Sequence, residues 1–260
     1  FWPCAWGLLL AGGAARRDLL LWFLLGSIAM RGAGCVYNDI VDAALDRQVA
    51  RTAARPVASG RIGKGAAWAW LLALCGLGLI VLLQLRWQAQ LVALGSLALV
   101  AAYPFMKRIT WWPQAWLGLV FSWGALVGWM AFAEASWAMA LLYLGTIFWV
   151  IGYDTIYALQ DKEDDALIGV RSSARALGDR VKAGVSIFYG VALLCWGLAI
   201  WQVRPQMLAL AALLPAACHL LWQVATLRAE DGGDALAKFR ANRFAGLLVA
   251  LAMITIGASA

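Results

Sequence analysis

Two short runs of this sequence concentrate residues able to do chemistry. The first reads Tyr37-Asn38-Asp39-Ile40-Val41-Asp42-Ala43-Ala44-Leu45-Asp46 and spaces Asn38, Asp42 and Asp46 four residues apart, so a helix stacks them on one face. Arg31 falls nearly two turns earlier on the same stripe. The second run, Asp154-Thr155-Ile156-Tyr157-Ala158-Leu159-Gln160-Asp161-Lys162-Glu163-Asp164-Asp165, likewise aligns Asp154, Tyr157, Asp161 and Asp165, with Asp164 beside them. Like charges at this spacing repel unless something positive sits among them. Oxygen ligands without His or Cys suit magnesium, calcium or manganese better than zinc, and magnesium takes one or two carboxylates together with phosphate oxygens and water.

Basic residues flank both runs: Arg51 and Arg55 after the first, Lys107 and Arg108 between them, Arg171 and Arg175 after the second. Acids for a metal and bases for phosphate oxygens describe a diphosphate site. A lone DxxxD is more simply a wetted helix end, and a lone basic residue is more simply a marker of membrane topology. Two acid runs with their own bases are not explained so easily.

The elements that must position these residues are membrane helices. Of 260 residues, 64% are hydrophobic and 13% charged, which excludes a single water-soluble core. Apolar stretches able to cross about 30 Å of hydrocarbon recur near 2–15, 19–37, 66–84, 90–105, 111–132, 137–158, 183–201, 206–226 and 244–258. These predict an all-α protein of about nine transmembrane helices in one domain over 1–260. The first stretch is short and begins at Phe1 without Met, so a preceding piece that completes it is expected; no basic leader or cleavage site marks it as a signal peptide.

The net charge of +7 belongs to topology rather than to nucleic acid. The loops after the second, fourth, sixth and eighth stretches hold 16 of the 21 Lys and Arg, and the remaining loops hold four. By the positive-inside rule those loops are cytoplasmic, and both acid runs meet that face because the second and sixth helices run in the same direction. A carboxylate facing lipid at membrane depth costs about 3 kcal/mol, so stacked acids there call for a cavity or a cation. The five cysteines lie in apolar stretches without CxxC spacing, which points to neither a disulfide nor a zinc site. His219 reads as a packing or hydrogen-bonding residue, and most of the 16 Trp as interfacial belts.

The sequence resembles the UbiA superfamily of intramembrane prenyltransferases nearly from end to end, and within it the 4-hydroxybenzoate polyprenyltransferases of ubiquinone synthesis. Asn38-Asp39-x-x-Asp42-x-x-x-Asp46 with Arg51-Thr52-x-x-Arg55-Pro56 and Ser59-Gly60 is similar to the first family motif, and Tyr153 to Asp165 with Gly169 and Ser172 to the second. Tyr103-Pro104-Phe105-Met106-Lys107-Arg108-Ile109-Thr110-Trp111-Trp112-Pro113-Gln114 and Phe239-Arg240-Ala241-Asn242-Arg243 resemble segments of the 4-hydroxybenzoate branch. The Arg-x-Asp-Arg-Pro segment expected near the start of that branch is absent.

The resemblance implies nine helices around a central cavity, capped on the cytoplasmic side of a bacterial inner membrane, with the two acid motifs facing each other. It implies magnesium held by Asn38, Asp42, Asp161 and Asp165, with Asp39, Asp46 and Asp164 close by, and an allylic polyprenyl diphosphate neutralised by Arg51, Arg55 and Lys107. Tyr103 and Tyr157 would shield an allylic cation, or simply pack. Asp154 would polarise the hydroxyl of 4-hydroxybenzoate, and Arg31 would orient its carboxylate or else pair with a neighbouring acid. Homogentisate, a dihydroxynaphthoate, haem or a chlorophyll precursor are alternative acceptors of the same chemistry. A cation-coupled transporter, the alternative of another class, would place its acids near the bilayer midplane on broken helices rather than at one face.

Overall fold

The computed structural model describes residues 1–48, 52–160 and 171–257, and only the helical backbone at 107 and 108. In hydrocarbon every backbone N–H and C=O must be satisfied within the segment, so stretches this apolar become helices. The chain runs α1 (Trp2–Leu10), α2 (Arg17–Asp46), α3 (Lys64–Leu82), α4 (Trp87–Ile109), α5 (Pro113–Met130) and α6 (Trp137–Tyr157). It continues with the short α7 (Ser173–Leu177), then α8 (Val181–Val203), α9 (Met207–Ala211), α10 (Leu214–Thr226) and α11 (Gly232–Gly257). Among the described residues, seven spans are long and apolar enough to cross a membrane, with α7 to α8 counted as one and α9 to α10 as another. The nine-residue α1 and the 18-residue, Trp-rich α5 are not among them.

The acid run closes α2, which is helical to Asp46 as its spacing predicts. Two expected boundaries move. The eighth crossing is interrupted between α9 and α10, where Pro215 restarts the helix in its first turn. The last helix begins at Gly232 rather than near 244, so Phe239 to Arg243 is helical and not a loop.

The packing follows lipid rules, in which close approach of small residues replaces the hydrophobic drive. The first helix lies against α5 and α11, and six of its nine residues are buried. A Cβ at Gly128 would fall on the Cys4 carbonyl, and one at Gly257 on the Leu9 carbonyl, so both helices touch α1 backbone to backbone. Gly12, at φ +90°, makes the turn that ends α1.

The centre of the bundle holds a tryptophan triad in which Trp6 lies 5.0 Å from Trp149 and 5.3 Å from Trp196, ring to ring. Each indole N–H is satisfied: Trp6 by the Gly246 carbonyl, Trp149 by Asn242 Oδ1 and Trp196 by Thr146 Oγ1. These three, with Trp129, are buried, while eight others including Trp68, Trp70, Trp137 and Trp201 are exposed as an interfacial role requires. His219 Nε2 donates to the Ala241 carbonyl of α11 at 3.1 Å.

The sixth helix packs chiefly on α5 and α8, whereas α2 packs on α3 and touches α4 only lightly. Residues of α2 and α6 therefore face each other across a gap rather than through direct contact.

Candidate active site

The last two turns of α2 carry the first acid run. Asp42 is fully buried and Asp46 nearly so, while Asn38 and Asp39 are half-buried. Past Asp46 the chain folds back: Thr52 Oγ1 donates to the Asp46 carbonyl at 3.0 Å, and Arg47 Nε donates to the Ala58 carbonyl at 2.8 Å. Ser59 N to Arg55 O at 2.8 Å and Ile62 N to Pro56 O at 3.0 Å close this segment on itself. That fold returns Arg55 to α2, where its NH1 donates to Asp39 Oδ1 at 3.1 Å and to Asp46 Oδ2 at 3.0 Å. Two expected metal ligands and an expected diphosphate ligand are thus joined in one cluster.

The fourth helix brings Tyr103, whose phenol lies within electrostatic reach of Asp154, Asp42, Arg31 and Arg55 together. Four charged residues from α2, α6 and the segment after α2 therefore act electrostatically on one phenol of α4. Tyr37 ties α2 to α4 near this point by donating to the Ala101 carbonyl at 3.2 Å. The guanidinium of Arg31 sits 5.6 Å over the ring of Phe121 on α5 and within electrostatic reach of Asp154. It therefore makes a cation–π contact rather than a close ion pair, which leaves its donors available in the gap.

On α6, Asp154 and Tyr157 are half-buried at the end nearest the second acid run. Tyr157 lies 4.5 Å from Phe239 of α11, and Tyr153 5.7 Å from the same ring. Beyond the second run, Ser173 is fixed from two sides: its N–H donates to Gln114 Oε1 at 2.9 Å, and its hydroxyl pairs with Thr155 Oγ1 at 2.7 Å. Arg171 donates to the Ile109 carbonyl at 2.9 Å, and Arg171 and Arg175 lie 5.5 and 5.3 Å from the Trp111 ring. The chain that follows the second acid run is thereby pinned to the junction of α4 and α5.

Asp161, Asp164, Asp165 and Arg51 lie outside the described residues, as does the side chain of Lys107. Among the described residues, no three acidic, His or Cys side chains gather as a metal-ligand group. The α2 side contributes only oxygen donors, Asn38 and Asp42 one turn apart, and that donor set fits a hard cation such as magnesium.

Sequence reasoning gave Tyr153, Phe239 and Phe121 no role. For Tyr153 a signal exists, since Trp149, Tyr153 and Tyr157 recur every four residues on one stripe of α6. Phe239 stands in a motif noticed for its wording alone, and nothing in the spacing pairs it with α6.

Comparison with known proteins bears on what this constellation belongs to. The model of the UbiA prenyltransferase family matches residues 1–251. The chain belongs to the UbiA prenyltransferase family. It is 42% identical over 260 residues to the mitochondrial 4-hydroxybenzoate polyprenyltransferase of Drosophila pseudoobscura pseudoobscura, covering 98% of this chain and 65% of that protein. It is 41% identical to the protein of the same description from Homo sapiens, covering 97% of this chain and 69% of the relative. The chain spans about two thirds of the length of these curated relatives.

Among solved structures, a UbiA homolog from Aeropyrum pernix K1 in its apo form superposes with a TM-score of 0.79 at 24% identity, covering 98% of this chain and 95% of that one. A UbiA homolog from Archaeoglobus fulgidus bound to GPP and Mg2+ gives 0.67 at 17% identity, covering 98% and 96%. At these identities the likeness shows the UbiA fold. This chain is an integral membrane protein, all-helical among its described elements.

Proposed function

We propose that the protein transfers a polyprenyl group from an allylic polyprenyl diphosphate to the ring of 4-hydroxybenzoate, with magnesium, in ubiquinone biosynthesis. The observation that carries this reading is the convergence on Tyr103 of two unlike pairs of charges. Asp42 and Arg55 suit a metal-bound diphosphate. Arg31 and Asp154 suit a hydroxybenzoate, whose carboxylate would meet the guanidinium and whose hydroxyl would meet the acid. Curated relatives named for 4-hydroxybenzoate favour that acceptor over homogentisate, a dihydroxynaphthoate, haem or a chlorophyll precursor. The solved relative bound to GPP and Mg2+ supports the class of donor and the ion.

Asn38 and Asp42 would hold the metal from α2, together with Asp161, Asp164 and Asp165 of the second acid run. Magnesium bound there supplies fixed positive charge beside the diphosphate oxygens. As the allylic carbon–oxygen bond breaks, negative charge gathers on the leaving diphosphate. Arg55, held beforehand by Asp39 and Asp46, then stabilises the transition state more than the bound donor, with Arg51 and Lys107 as the further proposed cations. The aromatic faces of Tyr103 and Tyr157 shield the cation left behind, an attraction worth about 2 kcal/mol when desolvated. The carbon ortho to the acceptor hydroxyl attacks, a carbon–carbon bond forms and the ring proton is lost. Asp154 accepts a hydrogen bond from that hydroxyl and raises the electron density of the ring, while Arg31 fixes the carboxylate end.

The location that fits is an inner membrane with the site on the face bearing the basic loops. That orientation rests on the sorting of Lys and Arg among the loops, and the curated relatives are mitochondrial. The experiment that tests the reading incubates membranes carrying the protein with ring-labelled 4-hydroxybenzoate, a polyprenyl diphosphate and magnesium. A labelled lipid-soluble product that disappears with chelator is expected. Product only with a different acceptor would reassign the acceptor, and none with any acceptor would overturn the transfer.

A further inference from the structure

At about 100° per residue, Asn38, Asp42 and Asp46 follow one another on α2 at steps of about 40°, and Asp39 lies within about 20° of Asp46 at the far edge of that row. The NH1 nitrogen of Arg55 bridges this last pair, Asp39 at 3.1 Å and Asp46 at 3.0 Å.

We propose that Asp39, together with Asp46, is a positioning residue for Arg55 rather than a metal ligand, and that the pair aims the guanidinium at the diphosphate. Three observations carry it. Asp39, Asp42 and Asp46 do not converge as a metal-ligand group among the described residues, although they share two helical turns. Magnesium needs only one or two carboxylates beside phosphate oxygens and water, so the Asp42 carboxylate with the Asn38 amide oxygen is enough from this helix without Asp39. Asp39 and Asp46 both bind Arg55, in a geometry that serves the arginine. Both hydrogens of NH1 go to carboxylates, leaving the Nε–H and the NH2 pair as a fork for phosphate oxygens.

The anchor is rigid on both sides. Asp46 has a side chain only 8% exposed and a carbonyl held by Thr52, while Arg55 rides on the segment closed by the Ser59 and Ile62 backbone bonds. Arg55 itself keeps a third of its side chain accessible. Two carboxylates on one guanidinium fix its rotamer and plane, which a free arginine would have to give up entropy to achieve. A lysine at 55 could satisfy the charge but not bridge two acids while presenting a fork.

This inference rests on the diphosphate reading, and the test separates the two. Purified protein is titrated with inorganic diphosphate in the presence of magnesium by calorimetry, and separately with Mn2+ alone by electron paramagnetic resonance. Asp39→Asn and Arg55→Ala should each weaken diphosphate binding by about 10- to 100-fold, the loss expected for charge-assisted hydrogen bonds. The double variant should be no weaker than Arg55→Ala, and Asp39→Glu should recover most of the loss. Mn2+ affinity should stay within about two-fold of the parent in Asp39→Asn but fall sharply in Asp42→Asn. If Asp39→Asn lowers Mn2+ affinity as far as Asp42→Asn does, or if the Asp39 and Arg55 losses multiply, the positioning role is wrong while the diphosphate site stands. If the parent protein binds no diphosphate with magnesium present, the diphosphate reading itself fails.

Discussion

Arg31 on α2 and Asp154 on α6 lie within electrostatic reach of each other across helices that do not pack together, with Arg31 propped over the Phe121 ring of α5. Under the proposed function, the acceptor's carboxylate would meet Arg31 and its hydroxyl Asp154. Arg31→Ala should raise the acceptor KM by about 10- to 100-fold with little change in the donor KM, since the loss is of a charge-assisted contact to one substrate. Steady-state kinetics with each substrate varied in turn decides this, and an equal rise for the donor would remove Arg31 from the acceptor end.

Phe239 of α11 wedges against Tyr153 and Tyr157 of α6. If Tyr157 shields the allylic cation, Tyr157→Phe should keep most of the rate, whereas Tyr157→Leu should lose about 10- to 30-fold, the equivalent of about 2 kcal/mol of cation–π attraction. Phe239→Ala, which removes the prop, should raise the fraction of donor lost to water as free polyprenol. Chromatographic separation of prenylated acceptor from polyprenol measures both, and an unchanged partition would show that these rings merely pack.

Asn242 serves the fold instead. Its Oδ1 accepts from Trp149, and its Nδ2 donates to Gln223 Oε1 at 3.0 Å, an oxygen that also accepts from Tyr189. Asn242→Leu would leave buried indole and amide groups without partners, at about 1–3 kcal/mol for each. A lowered thermal midpoint in detergent is expected, with activity falling in proportion to folded protein rather than below it.

Most of the crossings were legible because apolar length alone demands a helix in lipid. The third helix, expected at 66–84, is Lys64–Leu82, and the sixth, expected at 137–158, is Trp137–Tyr157. A polar start misled the reading of the last helix. Lys238 and Asn242 hide the first turns of α11, where Lys238 pairs with Asp234 at 3.1 Å and Asn242 is buried in its polar network.

The acid motifs, Arg31, Tyr103 and Asp154 were visible as residue types at helical spacing. What Arg55 touches was not, because its partners stand 9 and 16 residues away across a loop whose path no periodicity encodes. The roles of Phe121 and Phe239 depend in the same way on which helices become neighbours.

The sorting of basic residues predicts a cytoplasmic location for the segment before α3. A Cys introduced at the exposed Lys64 should react with a membrane-impermeant maleimide only when that face is accessible. Labelling from the outside of intact cells would invert the orientation.

The most direct measurement concerns Asp42 and Asp161, 119 residues apart in sequence (161 minus 42), which have no reason to act together unless one ion cluster joins the two acid runs. Magnesium-dependent transfer to labelled 4-hydroxybenzoate is compared among Asp42→Asn, Asp161→Asn and the double variant, each normalised to folded protein. If both acids serve one diphosphate, each single change should nearly abolish transfer, and the double should be scarcely worse, because groups acting as a unit are strongly non-additive. Near-normal transfer in either single variant, or losses that multiply in the double, would contradict a shared site.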